Sequence, residues 1–145
     1  MKTQFLLFPF FLLIIISPLV KDEYNPSIKN LHKNFVSITE DNTVWICRFE
    51  EPNWAYNEFL DQITYTPAYK ACMYDSSQWV KKITGFNRPM ECHYHWHPSY
   101  DDHPVVNITQ YGMQQYCEWL TERYNEDKRR KYKKVLFRLP TLEEY

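Results

Sequence analysis

An excess of charge of either sign is missing from this chain: 17 Lys and Arg stand against 18 Asp and Glu, a net charge of −1. No global field therefore draws nucleic acid or acidic lipid to it. The sequence holds no C-x-x-C pair, which argues against a zinc ribbon or a thioredoxin-type redox site. No apolar run reaches the ~20 residues that cross a bilayer as a helix. Glycine occurs only twice. Aromatic residues, by contrast, reach 18%, with 12 Tyr and 5 Trp, a supply that suits a dense core, a sugar-binding surface or a partner interface. The 145 residues are 44% hydrophobic and 24% charged, enough for one ordered domain and too few for two.

The N-terminus follows its own pattern. Lys2 precedes a stretch, Phe5 to Ile16, that is apolar except for Pro9, and Ser17-Pro18 ends it before Lys21-Asp22-Glu23. That order and length predict a secretory signal peptide over residues 1–21. A buried helix is the poorer reading, because no polar residue gives the stretch a solvent face. No small-x-small pair sits cleanly before Lys21, so an uncleaved signal anchor stays open, and membrane contact is expected only through this segment. No cysteine follows the run, which argues against a bacterial lipid anchor. The expected location is exported: periplasm, cell envelope or extracellular space.

Export changes how Cys47, Cys72, Cys92 and Cys117 read. They are an even set in an oxidising compartment, where disulfides persist, and four cysteines allow three pairings that sequence does not separate. The alternative is that some are small buried residues.

Residues 22–34 lack periodicity and read as a linker before a domain over 35–145. Thr43 to Phe49, β-branched and aromatic after the turn-like Glu40-Asp41-Asn42, predicts a strand. Tyr56, Phe59, Leu60 and Ile63 then fall on one face of a helix running from Trp54 to Ile63. Pro52 sits where a missing N–H costs little, and Glu50 and Glu51 lie beside the positive end of the helix dipole. Residues 64–104, punctuated by Pro67, Pro89, Pro98 and Pro104, are irregular; such segments are functional or disulfide-tied, and Cys72 and Cys92 favour the tie. Thr109 is placed to cap a second helix striped by Met113, Tyr116, Cys117, Leu120 and Tyr124, with Ile108 and Met113 spaced as a hydrophobic staple. That helix runs into Lys128-Arg129-Arg130-Lys131-Tyr132-Lys133-Lys134, which reads as a solvated helix end. Val135 to Leu139 predicts a second strand. Thr141 and Glu144 form a capping box with one residue after it; a first turn alone gains almost no hydrogen bonding, so the sequence reads as cut where an element begins.

Three linked motifs carry a resemblance: His103-Pro104-Val105-Val106-Asn107-Ile108-Thr109, Tyr116-Cys117-x-Trp119-Leu120, and Arg138-Leu139-Pro140-Thr141-x-x-Glu144-Tyr145. Together they resemble the core signature of the sulfatase-modifying-factor (formylglycine-generating-enzyme-like) family. Phe49-Glu50-x-x-Asn53-x-x-Tyr56-x-x-Phe59-Leu60 is similar to that family's strand-to-helix step. His97-Pro98-Ser99-Tyr100-Asp101-Asp102 resembles the subgroup of gliding-motility lipoproteins. The resemblance spans about residues 44–145 and implies the front part of an α+β, C-type-lectin-like fold. Pro52 departs from the family's usual Thr, Gln110 from its Trp, and Gly112-Met113 from its Asp-Ala. The glycine-rich opening of the family is missing too. Complete members oxidise a sulfatase cysteine to formylglycine with copper held by two redox cysteines, and bind calcium; those cysteines and most calcium ligands lie beyond the matched part. The resemblance thus implies a chain without that oxidase activity, with no catalytic, cofactor-binding or metal residue assigned and no cofactor of its own. A degenerate paralogue, a gene fragment, or a structural or binding component of an envelope assembly with a protein partner are the expected forms.

Two local features stand beside that reading. Cys92-His93-Tyr94-His95-Trp96-His97, with His103 behind it, would project alternate imidazoles from one side of an extended strand, and imidazole suits zinc or copper. A metal-binding module on His93, His95 and His97 is therefore an alternative. Against it, the segment falls in a variable loop of the family. Asn107-Ile108-Thr109 matches a glycosylation sequon, informative only in a eukaryotic source.

Overall fold

The structure is a computed structural model that describes residues 3–6, 27–81 and 88–144. Most of the stretch read as a signal peptide, and residues 22–26 of the linker, lie outside the described residues. The chain divides into two compact units, residues 1–50 with 120–145, and residues 51–119. Helices and one small sheet make the class α+β, and among the described residues no helix is long and apolar enough to cross a membrane.

The first unit is built on a four-stranded sheet in the order β2-β3-β1-β4. Its strands are β1 (Thr3–Leu6), β2 (Phe35–Ser37), β3 (Val44–Cys47) and β4 (Val135–Arg138). β2 and β3 form an antiparallel hairpin with Phe35 opposite Cys47. Its turn is organised by side chains. Thr39 Oγ1 accepts from the backbone N–H of Thr43 and Val44 at 3.2 Å each, and Asp41 Oδ1 accepts from the Thr43 hydroxyl at 2.7 Å. Asn42 takes φ of 53°, a left-handed turn conformation that Asn tolerates. β1 runs parallel to both β3 and β4.

Strand alternation decides which face of β4 is covered. Val135 and Phe137 are buried while Leu136 is exposed, the period expected of a half-buried strand. The last turns of α5 (Gln110–Glu126) serve the outer edge of β4 with polar groups. Thr121 Oγ1 accepts from Phe137 N–H at 2.9 Å. Asn125 closes a two-bond clamp on Val135, accepting from its N–H at 2.9 Å and donating to its carbonyl at 2.8 Å. Residues 27–34, in the stretch read as a linker, instead form a turn and a 3-10 helix (Leu31–Asn34) that bury Ile28, Leu31 and Asn34. Two apolar side chains three positions apart, Ile28 and Leu31, are too few to form the repeating stripe that marks an element in sequence. Phe35 and Tyr124 flank Phe137 with ring centroids 5.8 Å away in each case.

The second unit begins with α1 (Asn53–Ile63); of its expected stripe, Tyr56, Phe59 and Leu60 are buried, while Ile63 at the last turn is half-buried. Pro52 occupies the N-cap and provides no side-chain cap. Carbonyls from the irregular segment do that work: His103 accepts from Asn53 N–H at 2.8 Å and Asp101 from Trp54 N–H at 3.1 Å, satisfying donors that every helix start leaves open. Around α1 lie α2 (Tyr69–Cys72), α3 (Gln78–Lys81), α4 (Arg88–His93) and a 3-10 turn (Pro98–Tyr100). Tyr56, Phe59, Tyr116 and Trp119 pack with ring centroids 5.3–5.7 Å apart. Much of the aromatic excess is thus spent in a core.

Candidate functional site

The four cysteines are free thiols, not disulfides. The expectation that Cys72 and Cys92 tie down residues 64–104 is therefore corrected. Asparagine side chains on α1 hold that segment instead. Asn53 Nδ2 donates to the carbonyls of Tyr94 at 3.1 Å and Tyr100 at 2.9 Å, and Asn57 Nδ2 donates to the carbonyl of His95 at 2.8 Å. Buried carbonyls of an irregular loop need such partners, and a side chain one turn along a helix reaches several of them.

Nucleophilic chemistry is poorly served by the buried thiols. Cys117 is buried on α5, and burial, reinforced by Glu51 and Glu118, pushes its thiol up to about 12. Burial also raises the Cys72 thiol, while its backbone carbonyl accepts from the Tyr56 hydroxyl at 2.8 Å. A thiol raised this way is not the thiolate that attacks or binds metal. Cys47 is buried as well, and Cys92 is exposed.

The histidines part company. His93 ends α4 and Tyr94–Trp96 is a turn, so the alternating set does not lie along an extended strand and does not present one side. His95 turns inward, 1% exposed, with its ring stacked on Tyr74 at 3.9 Å and 4° and edge-on to Tyr94 at 5.2 Å. Neither of its ring nitrogens has a hydrogen-bond partner, and burial lowers its pKa to about 4, so it is neutral near pH 7. His93 and His97 are exposed and 6.0 Å apart by ring centroid. His97 Nδ1 is taken up by the Ser99 N–H at 3.2 Å. Among the described residues no group of three or more His, Cys, Asp or Glu is placed to hold a metal ion.

Three polar contacts that the sequence did not advertise complete the picture. In the second unit the Tyr116 hydroxyl donates to Glu51 Oε1 at 2.5 Å, and the Tyr74 hydroxyl donates to Asn57 Oδ1. In the first unit, Arg138 forks onto Glu144 with bonds of 2.7 and 2.5 Å. Glu144 Oε2 also accepts from Thr141 N–H at 2.8 Å, the reciprocal half of the expected capping box. The arginine holds the Glu144 carboxyl down at about 2. Thr109 caps α5 as read, accepting from Gly112 N–H at 3.0 Å and donating to the Ala71 carbonyl at 2.9 Å. Asn107 adopts φ of 59° and its carbonyl accepts from Asp75 N–H at 2.8 Å, so the sequon asparagine also has a backbone role.

The motifs that carry the resemblance therefore sit at structural joints: Arg138 to Glu144 closes a turn, Thr109 starts a helix, and Asn53 and Tyr56 organise the core of the second unit. Residues 36–145 match the family model of the sulfatase-modifying factor enzyme 1-like domain, and the chain belongs to that family. No curated protein and no solved structure matches it.

Proposed function

We propose that this chain is a sulfatase-modifying-factor-type domain that does not oxidise cysteine and works as an exported binding or structural component, held in an assembly by a protein partner. The observation that supports this most is the state of the thiols. The family's oxidation needs two neighbouring, reactive cysteines, whereas Cys72 and Cys117 are buried with raised thiols. The matched residues serve as caps, clamps and core, which is what a domain retains when its fold outlasts its chemistry. On this reading the front of a C-type-lectin-like fold supplies the scaffold, and export depends on the N-terminal apolar segment.

The test is direct. Purified protein is incubated aerobically with copper and a synthetic sulfatase-type cysteine peptide, and peptide mass reports any formylglycine. No conversion above a copper-only control is expected. Turnover that is abolished by replacing any of Cys47, Cys72, Cys92 or Cys117 would refute the proposal.

A further inference from the structure

The strand β1 lies within residues 1–21, the stretch whose pattern is that of a removable leader, yet it is an inner strand of the sheet, between β3 and β4. It aligns Gln4, Phe5 and Leu6 with Val44, Trp45 and Ile46 on one side. On the other it aligns Thr3 to Leu6 with Val135 to Arg138. We propose that the gap between β3 and β4 is a strand-acceptor site, filled in the exported and processed protein by an extended apolar strand of a partner polypeptide running parallel to both. This inference rests on the export reading given above.

Each wall has its far edge already taken. β3 is already paired with β2 along its far edge. The far edge of β4 is occupied by α5, where Thr121 and Asn125 take the N–H groups of Phe137 and Val135. Backbone groups of successive strand residues point to opposite edges, so Leu136 and Arg138 direct theirs into the gap. Removal of β1 would bare roughly eight backbone donors and acceptors between the two walls. A strand that pairs on both sides satisfies all of them at once, whereas an unfilled gap would leave the buried Val135 and Phe137 without a neighbouring strand on that side.

The walls also specify the occupant. Both pairings are parallel, so a tight hairpin from β3 or β4 does not supply it; parallel neighbours need a long connection or a separate chain. The register position between Trp45 and Phe137 falls on the same face as buried Cys47 and Phe137, so the occupant needs an apolar residue there and at alternate positions. Proline is excluded, since each inner-strand N–H is used. Main-chain bonds would supply affinity and the alternate side chains specificity, as in other strand-addition complexes.

The test uses the full-length gene in an exporting host. Intact mass of the purified product locates the mature N-terminus, which is expected beyond Leu6. A fluorescent synthetic peptide of residues 1–8, carrying a solubilising tail, then serves as the probe in anisotropy and amide-exchange measurements. Saturable binding is expected, with exchange at Leu136 and Arg138 and along β3 slowed at least ~10-fold, and with no binding of the same peptide carrying Phe5→Pro. Should the processed chain precipitate, the peptide present during refolding is expected to keep it soluble, and failure to do so would overturn the proposal. A soluble processed protein that ignores the peptide, or binds it without protecting both strands, overturns the acceptor site and leaves the export reading standing. A folded product that retains residues 1–6 overturns the acceptor site, and absence of the product from the exported fraction overturns the export reading.

Discussion

Replacing Gly112 with alanine sets two effects of opposite sign against each other. Gly112 lies in the first turn of α5, where alanine is favoured over glycine by about 1 kcal/mol. A Cβ at that position, however, would sit 2.5 Å from the Tyr56 hydroxyl and 3.3 Å from Cys72 Cα. The hydroxyl cannot swing aside cheaply. It donates to the Cys72 carbonyl at 2.8 Å, and Tyr56 is 1% exposed with its ring fixed by Phe59, Tyr74 and Tyr116. Moving it strands a buried donor and acceptor, at about 1–3 kcal/mol, and overpacks the site by a further 1–3 kcal/mol or so. Steric cost wins, and Gly112→Ala is expected to destabilise the protein by about 2 kcal/mol net, read as a lowered urea midpoint with unchanged slope. The companion Tyr56→Phe removes the obstructing oxygen. In the double variant the alanine penalty should shrink by at least ~1 kcal/mol, a coupling that a double-mutant cycle resolves. Stabilisation by Gly112→Ala alone, or strict additivity of the two changes, would refute the account of this contact.

Further outcomes follow from the other joints. His95 has a folded pKa near 4 against 6.5 for the free side chain, so the unfolded chain binds the extra proton between those values. Stability is thus highest above pH 6.5 and falls as pH drops toward 4, by about 3 kcal/mol in all; urea titrations at intervals across that range should show it, and His95→Phe should flatten the slope. Glu144 runs the opposite chemistry to the same end. Its carboxyl is held near 2 by Arg138, so its contribution is present above the ordinary carboxylate range and lost as pH falls through 2. Glu144→Gln should cost about 1 kcal/mol at pH 7 and little at pH 2. Asn125→Ala removes both bonds to Val135 and should cost about 1–3 kcal/mol, with faster amide exchange at Val135 as its local signature.

What could be read without coordinates was whatever is written in nearest-neighbour spacing. The buried stripe of Tyr56, Phe59 and Leu60, the stripe of Tyr116, Cys117, Leu120 and Tyr124, and the strands at Val44 and Val135 all follow from a period of 3.6 or 2. The Thr109 cap and the Glu144 half of the Thr141 capping box follow from three-residue spacing. Contacts between distant positions left no such trace. The bonds from Asn53 to Tyr94 and Tyr100 join residues in different elements, and nothing local marks an asparagine on a helix as the anchor of a loop. The cysteine count pointed to disulfides and the alternating histidines to a strand. Both inferences failed for one reason: composition says which groups exist, whereas burial against Tyr74, or on the apolar side of α5, decides what each one does.

The departures from the family pattern become intelligible on the same footing. Threonine, usual where Pro52 stands, would cap α1 with its hydroxyl. Here the donors at that helix start are taken by the carbonyls of His103 and Asp101, so the hydroxyl is dispensable, and proline preorganises the extended backbone observed at φ −77° and ψ 156°. The isolated bridge between Pro52 and Pro104, with Val105 N–H donating to the Glu51 carbonyl at 2.8 Å, fastens the same joint from the other side. Gly112 is another departure, and in this chain a Cβ there would stand 2.5 Å from the Tyr56 hydroxyl. In both cases the departing residue suits its surroundings here: the cap that Pro52 lacks is supplied by other carbonyls, and Gly112 leaves room for the Tyr56 hydroxyl. Restoring the family threonine by Pro52→Thr should therefore gain little stability, within about 0.5 kcal/mol, because the N–H groups a cap would accept from already donate elsewhere, Trp54 to the Asp101 carbonyl and Ala55 to the Pro52 carbonyl, each at 3.1 Å. A gain of 1–2 kcal/mol, the ordinary value of a new N-cap, would show that the carbonyls of His103 and Asp101 do not serve that helix start in solution.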